Sequence, residues 1–514
     1  MNRKLTFFDE PPLVFGYNQS AVDPRDGLCL FGPYENFNSY SIQVGVVGTA
    51  SGIQLYKDYV QKLQSPIYSP RENSTQRPSF PGFEAIYGIT WSPKPALETI
   101  IKDDALEKCL KLTSLGERTY ETASLYLEKM LKVQEEEETK IDIWFVVLPR
   151  EVWKRCRPQS DDSDMPGGLR ERLKKYKEGQ KTLFDELNEE YEELLLKYSY
   201  YPQFHDQFKA RLLQNKFLVP VQLMLEPTLR FREKYRNRPY DDDICAHLAW
   251  TQTATMYYKL GKLPWKLNRV RDGVCYLGLV FKRFEHFNSK GFACSAAQMF
   301  LDSGDGTVFK GNVGPWKSPN SKEFHLDEQS AYELLDKALN TYFHKMGNHP
   351  KEVFIHSRAF FNDDEWRGFQ KAVKNHGESI SLTGVRIKKS DKVKMYKDRF
   401  DAKSEYGNLR GLAWILGDED DRTEAYLWTN GFIPRLNTSS SMEVPSPLRV
   451  NITRGETNIE QVLEDILSLT KLNYNACDYG DGLPVTLRFS DAIGSILTAV
   501  DKIDTAVLPF KYYI

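Results

Sequence analysis

Between Tyr201 and Trp265 four side chains have the chemistry to hold a phosphate. His205 and Lys209 stand one helical turn apart in YPQFHDQFKARLL, so on a helix both project from one face. Gln222 lies in the short apolar run PVQLM, and Lys259 ends a second helical pattern, TATMYYKLGKLPW, just before Gly261. Two cations, an amide and an imidazole give a terminal phosphate both charge neutralisation and directional hydrogen bonds. A His/Lys pair at this spacing is more often a solvated helix face, so the reading rests on the set.

The surrounding pattern is that of an α/β protein. SIQVGVVGTASGIQLYKDYV reads as a strand, a Gly/Ser turn and a helix beginning near Gly52. The turn does not match a nucleotide-binding glycine fingerprint and is read as structural. A helix near Thr119–Val133 leads into the apolar run Ile141–Leu148, the pattern of a buried parallel strand, which stops at Pro149. Such alternation predicts a doubly wound sheet. A loop rich in Pro, Ser, Asp and Gly near 157–172 opens a charged insertion, about 157–200, read as an amphipathic surface helix rather than a coiled-coil arm. Beyond a boundary near Asn268, CYLGLVFKRFEHF, GFACSAAQMFLDSGDGTVFKG, GVRIKKS, RGLAWILG and EAYLWTNGF read as strands of a mixed sheet. Helices are expected at Asp327–Met346, Asp364–His376 and Ile459–Leu472, with a last one from Asp491 after a strand LPVTLRF.

Composition sets the class. The 514 residues are 41% hydrophobic and 13% aromatic, which excludes a disordered chain and allows roughly two to four domains. The 69 basic and 71 acidic residues nearly cancel, which argues against bulk coating of nucleic acid and leaves room for a local basic channel. Seven scattered cysteines (Cys29, Cys109, Cys156, Cys245, Cys275, Cys294, Cys477) form neither a metal spacing nor a disulfide framework. Without a signal-like N-terminus or a membrane-length apolar run, a cytoplasmic protein is expected. Asp302 and Asp305 are read as a hairpin turn, and Asp363, Asp364 and Glu365 as a helix N-terminus, rather than as metal ligands.

The runs DPRDGLCLFGP, QFHDQFKARLL, AAQMFLDSGDGTVFKGNVGPW, LTKLNYNAC, LPVTLRF and the terminal FKYYI resemble the short prokaryotic Argonautes. Within these they look most like members that act with a TIR–APAZ protein, the SPARTA systems. The resemblance implies a Rossmann-like MID domain over 1–268 and an RNase-H-like PIWI domain over 269–514, with no PAZ or N domain. It implies that His205, Lys209, Gln222 and Lys259 anchor the 5′-phosphate of a guide, and that the C-terminal carboxylate of Ile514 holds Mg²⁺ against guide phosphates, a bridge that suits an oxygen-loving cation. Lys282, Arg283, Lys388 and Lys389 are candidate channel residues, with solvated strand edges as the alternative for each. In slicing members carboxylates stand where this chain carries Val280 and Arg358, and Asp491 lies near the last catalytic position. Valine cannot ligate a metal and a guanidinium repels one, so no slicing, hence no enzyme activity of the chain itself, is expected. The implied role is a sensor loaded with small 5′-phosphorylated guide RNA that pairs with single-stranded target DNA. Target binding would gather heterodimers with the TIR–APAZ partner into a higher oligomer and switch on NAD(P)⁺ hydrolysis by that partner, in immunity against plasmids or phages. The same sensor coupled to a sirtuin-like APAZ protein or a nuclease, and a stand-alone guided endonuclease, are the alternatives.

Overall fold

The computed structural model describes the chain except residues 1–3, 38–40, 71–74, 114, 158–202, 235, 269–270, 285–290, 301–304, 315–323, 378, 396–407, 420–421, 434–437, 440–443, 500–507 and 514. At 282–284, 291–300, 305–314, 417–419, 422, 438–439 and 491 it describes the backbone alone. The charged insertion, except residue 157, and Ile514 therefore lie outside the described residues, as do the side chains of Lys282, Arg283 and Asp491.

In the first half, four strands form a parallel sheet in the order Leu97–Ile100, Val44–Gly48, Ile143–Leu148, Val221–Leu225. Their side chains alternate between two cores. Val46, Phe145 and Val147 enter one cluster, while Trp144, Val146 and Leu148 enter another beneath the helix Leu115–Glu136. The Gly/Ser turn after Val44–Gly48 leads into a helix, as read. Thr49 Oγ1 accepts the Gly52 amide at 3.0 Å and caps the helix Ala50–Leu63.

The second half is built on a mixed ten-stranded sheet. Its centre runs Leu448–Arg454, Ser381–Lys389, Glu352–Ser357, Val274–Phe284, Gly291–Phe300, Asp305–Gly314. Glu352–Ser357 is parallel to both of its neighbours, and the other pairs are antiparallel. Alternation along Val274–Phe284 divides the layers. Cys275, Leu277 and Leu279 pack with the helices Glu328–Met346 and Asp363–His376, whereas Tyr276 and Val280 share a core with the helix Val485–Leu497. Asn362 and Glu365 form a capping box, so the acids of NDDEW serve a helix start. Asp305 pairs with Phe300 across the Gly291–Phe300 and Asp305–Gly314 ladder, the arrangement of a hairpin.

One expected strand is absent. LPVTLRF opens the helix Val485–Leu497 instead, with Pro484 as its N-cap residue and Ser490 Oγ donating back to Thr486 O at 2.6 Å. The alternating Val485, Leu487 and Phe489 imitate a strand, but these side chains are buried together with Ile493, Ile496 and Leu497, which continue at helical spacing. This helix presses on Gly278. A Cβ there would lie 1.9 Å from Thr486 O and 2.8 Å from Ser490 Oγ. Gly278→Val should therefore lower stability by about 3 kcal/mol, read as a shift of the urea midpoint, because the obstruction is backbone and cannot rotate away. An unchanged midpoint would contradict this packing.

The two halves interlock. Lys4–Phe7 crosses to pair with Leu412–Glu419 at the edge of the large sheet, and Leu13–Val14 pairs with both Ser20–Ala21 and Lys266–Leu267. Trp265 Nε1 donates to Lys471 O at 3.0 Å, Tyr474 OH donates to Trp265 O at 3.0 Å, and Tyr258 stacks on Tyr474. Among the described residues no helix is long and apolar enough to cross a membrane.

Candidate functional site

The helix Phe204–Gln214 is fixed by Phe204, Phe208 and Leu212 on one core and by Ala210 and Leu213 on the other, which leaves Lys209 wedged between them. Lys259 is the last residue of the helix Asp242–Lys259, which stops where Gly261 takes a φ of +92°. Both ammoniums converge on one acceptor. Lys209 Nζ donates to Val221 O at 2.6 Å and Lys259 Nζ to the same oxygen at 3.0 Å. Lys209 is 1% exposed and Lys259 2%, so two amines sit together away from water, which disfavours charging both. Gln222, next along, donates Nε2 to Leu223 O at 3.2 Å, while its Oε1 is buried without a hydrogen-bond partner.

His205 stands apart. Its side chain is 49% exposed and its Nδ1 lies 2.9 Å from Asp206 Oδ1. Lys209 and Lys259 thus meet at the start of the strand Val221–Leu225, where Gln222 is the next residue along, and His205 occupies the first turn of the helix one turn away. The lysine pair lies at the amino end of this strand, not at the carboxyl ends where doubly wound sheets usually hold ligands.

Burial dominates the electrostatics. It pushes Lys209 down to about 7, opposed by the hydrogen bond with Lys259. Burial, then the charge of Lys209, holds Lys259 well below 10.5. At Lys209 the unfolded chain binds more protons than the folded one between about 7 and 10.5, so its contribution to stability rises with pH across that window and its cost is full below it, and Lys259 shifts in the same direction. A phosphate dianion favours both ammoniums and reverses the shifts. Binding of a 5′-phosphorylated strand at pH 8 should therefore take up protons, seen as a calorimetric heat that depends on the buffer's ionisation enthalpy. A buffer-independent heat would contradict this.

Two features beside the pocket escape a motif-by-motif reading. The C-terminal turn Phe510–Tyr512 packs against the helix Asp242–Lys259, with Phe510 fully buried. Lys511 brings its ammonium to 2.9 Å from where a Cβ on Gly261 would stand, just past Lys259. The helix Val485–Leu497 also touches the helix Phe204–Gln214, so elements of both halves frame the site. The sequence signal for Lys511 was present in FKYYI, but only the fold carries it to Gly261.

The positions weighed as a nuclease centre also converge. Leu279 pairs with Ser357, the last pair of the ladder, so Val280 on one strand and Arg358, just past the end of the other, follow side by side. Val280 is buried and Arg358 exposed. Ser490 Oγ donates to Gly278 O at 3.0 Å, which brings the backbone of Asp491 to the same locality. His356 beside them is structural. Burial pushes it down to about 3, and its Nδ1 lies 2.9 Å from Thr486 Oγ1.

Next to this locality is a cleft of about 660 Å³ walled by Arg358, Lys388, Lys389, Lys471, Arg488 and Asp481, among others. Lys471 is turned inward, with Nζ 2.9 Å from Glu10 Oε1 and from Val22 O. Arg488 Nε lies 3.1 Å from Asp481 Oδ2. Lys388 and Lys389 are exposed at the end of Ser381–Lys389, whereas Lys282 and Arg283 are placed by backbone register alone, opposite Ala293 and Phe292. The cleft can attract a polyanion.

No family model and no curated protein matches the sequence. Solved structures do match the fold. Clostridium butyricum Argonaute bound to a guide DNA and a 19-mer target DNA superposes with a TM-score of 0.62 at 16% identity, over 97% of this chain and 53% of that one. Drosophila Piwi gives 0.56 at 12% identity, over 99% and 56%, and A. aeolicus Argonaute 0.51 at 15%, over 98% and 54%. The chain thus spans about half the length of the structures it matches. At these identities the likeness is one of architecture: the chain has the mixed α/β fold found in Argonaute and Piwi proteins.

Proposed function

We propose that this chain holds the 5′-phosphate of a guide strand and uses the guide to recognise a complementary strand that it does not cut. The observation that carries this reading is the burial of Lys209 and Lys259 on a single carbonyl oxygen. Two ammoniums withdrawn from water side by side are costly, and a phosphate dianion between them offsets that cost with charge-assisted hydrogen bonds. Gln222, with an unpartnered oxygen on an amide that can turn either end, supplies direction. The likeness in fold to an Argonaute whose structure holds guide and target DNA supports the same role.

The guide is a small RNA and the target single-stranded DNA. The partner is a TIR–APAZ protein bound as a heterodimer, and target pairing assembles these heterodimers and starts NAD(P)⁺ hydrolysis in the partner, as a defence against plasmids or phages. The sequence runs from DPRDGLCLFGP to FKYYI support this finer reading. Val280, inside the strand Val274–Phe284, and Arg358, just past the end of Glu352–Ser357, argue against metal-ion cleavage, since neither can ligate a metal.

A divalent cation fits beside the pocket. The unpartnered Gln222 Oε1 is an oxygen of the kind Mg²⁺ takes, so Gln222 and the C-terminal carboxylate that the resemblance implies would be the groups to hold it. When bound, Mg²⁺ would neutralise guide phosphate charge. Co-expression with the TIR–APAZ partner tests the whole reading. NAD⁺ should be consumed only when guide and complementary single-stranded DNA are both present. Consumption without either, or none with both, would contradict it.

A further inference from the structure

We infer that Glu10 is a positioning residue for the phosphate pocket: through Lys471, Trp265 and Tyr474 it fixes where the Lys259 ammonium stands. The inference deepens the guide-directed reading above and rests on it.

Lys259 is the last residue of its helix, and helix ends leave backbone groups unbonded and fray. Its Nζ must nevertheless stay within hydrogen-bond reach of Val221 O. The segment that follows supplies the restraint. Trp265 is 1% exposed; its indole Nε1 donates to Lys471 O and its carbonyl accepts Tyr474 OH, both at 3.0 Å. The Tyr474 ring stacks in turn on Tyr258, the residue before Lys259, with ring centres 4.6 Å apart. Directly after Trp265, Lys266–Leu267 pairs with Leu13–Val14. The helix end is thus clamped by residues distant in sequence.

This clamp is only as firm as the carbonyl of Lys471, and one carboxylate holds that stretch of chain. Glu10 Oε1 lies 2.9 Å from Lys471 Nζ, and Glu10 Oε2 accepts Arg410 Nε at 2.8 Å. Arg410 Nη2 then donates to Thr470 Oγ1 at 2.6 Å, so Glu10 ties down two consecutive residues. The Lys471 side chain is fully buried and those of Arg410 and Glu10 nearly so, which strengthens each of these bonds. Burial pushes the Glu10 carboxyl up, yet the charges of Lys471 and Arg410 outweigh it and hold it below the usual carboxylate range. Lys471 also donates to Val22 O at 2.9 Å and stands over the Tyr479 ring, but neither contact carries a countercharge. The nearby carboxylate of Asp23 is itself paired with Arg25. Without the charge of Glu10, a buried ammonium is left beside Arg410 and must lose its proton or move, which loosens the carbonyl that holds Trp265.

The test compares binding of a 5′-phosphorylated strand with that of the same strand ending in a 5′-hydroxyl. It is made with the wild type, Glu10→Gln, Glu10→Asp, Trp265→Phe and Leu335→Ala. Leu335 packs with the helices Glu328–Met346 and Asp363–His376, away from the clamp, and its replacement reads what loss of stability does alone. The preference for the phosphate should fall about tenfold in Glu10→Gln and in Trp265→Phe, as when one charge-assisted hydrogen bond is weakened, while affinity for the hydroxyl strand holds. Glu10→Asp keeps the charge and should retain most of the preference; Leu335→Ala should retain all of it. A folded Glu10→Gln protein with the wild-type preference overturns the inference, as does an equal fall in Leu335→Ala or a loss in Glu10→Asp as large as in Glu10→Gln. If Glu10→Gln does not fold, Trp265→Phe, which changes no charge, decides by the same criterion. A wild type with no preference for the phosphate overturns the guide reading as well, whereas a preference indifferent to Glu10 and Trp265 overturns this inference alone.

Discussion

Replacing Lys209 and Lys259 together by methionine should abolish the preference for a 5′-phosphorylated guide over the same strand with a 5′-hydroxyl. Each lysine offers a charge-assisted hydrogen bond from a site already withdrawn from water, and such bonds are worth about 1.5–3 kcal/mol. The pair should therefore account for at least about a hundredfold of phosphate discrimination. Methionine is the informative substitute, because it keeps the volume of the stem and removes only the charge. Folding should survive or improve, since the variant no longer buries two ammoniums on Val221 O. Binding of the 5′-hydroxyl strand should change little. Equal losses for both strands in a folded variant would remove the lysines from the phosphate site.

The second large effect is a null in cleavage beside an intact signal. Hydrolysis of a phosphodiester by two metal ions needs carboxylates that hold the ions about 3.5–4 Å apart. Val280 is a buried aliphatic residue and Arg358 a cation just past the end of the neighbouring strand, so no such pair can be held between them. A guide-loaded sample with complementary DNA in Mg²⁺ or Mn²⁺ should yield no product of guide-defined length. Asp491→Ala should leave target-triggered NAD⁺ loss by the proposed TIR–APAZ partner nearly intact. Fragments ending at one fixed distance from the guide 5′ end would show that the centre works. Collapse of the signal in a folded Asp491→Ala protein would give that residue a role other than a vestige.

What could be read from the sequence, and what could not, follows from the range of the interactions. Ile141–Leu148 announces a parallel strand because both of its faces are buried, and the capping box at Asn362 and Glu365 is written in four consecutive residues. LPVTLRF misleads because five residues of alternation fit a strand as well as the start of a helix, and only Ile493, Ile496 and Leu497 break the tie. The edge pairing of Lys4–Phe7 with Leu412–Glu419 joins residues some four hundred apart, which no local pattern encodes. Lys209 and Lys259 could each be named for their chemistry. That they donate to the same oxygen is a property of the fold, as is the approach of Lys511 to Gly261.

The central claim is that the buried lysine pair exists to hold a strand by its 5′-phosphate. The most direct measurement is to purify the chain with its partner from the cells that express it, extract the bound nucleic acid, and determine its length distribution and 5′-end chemistry. The account predicts short RNAs of narrow length that carry 5′-monophosphates in the native complex and that are lost when Lys209 and Lys259 are both replaced. Nucleic acid that is absent, or heterogeneous in length with 5′-hydroxyl ends and retained by the double variant, would contradict it.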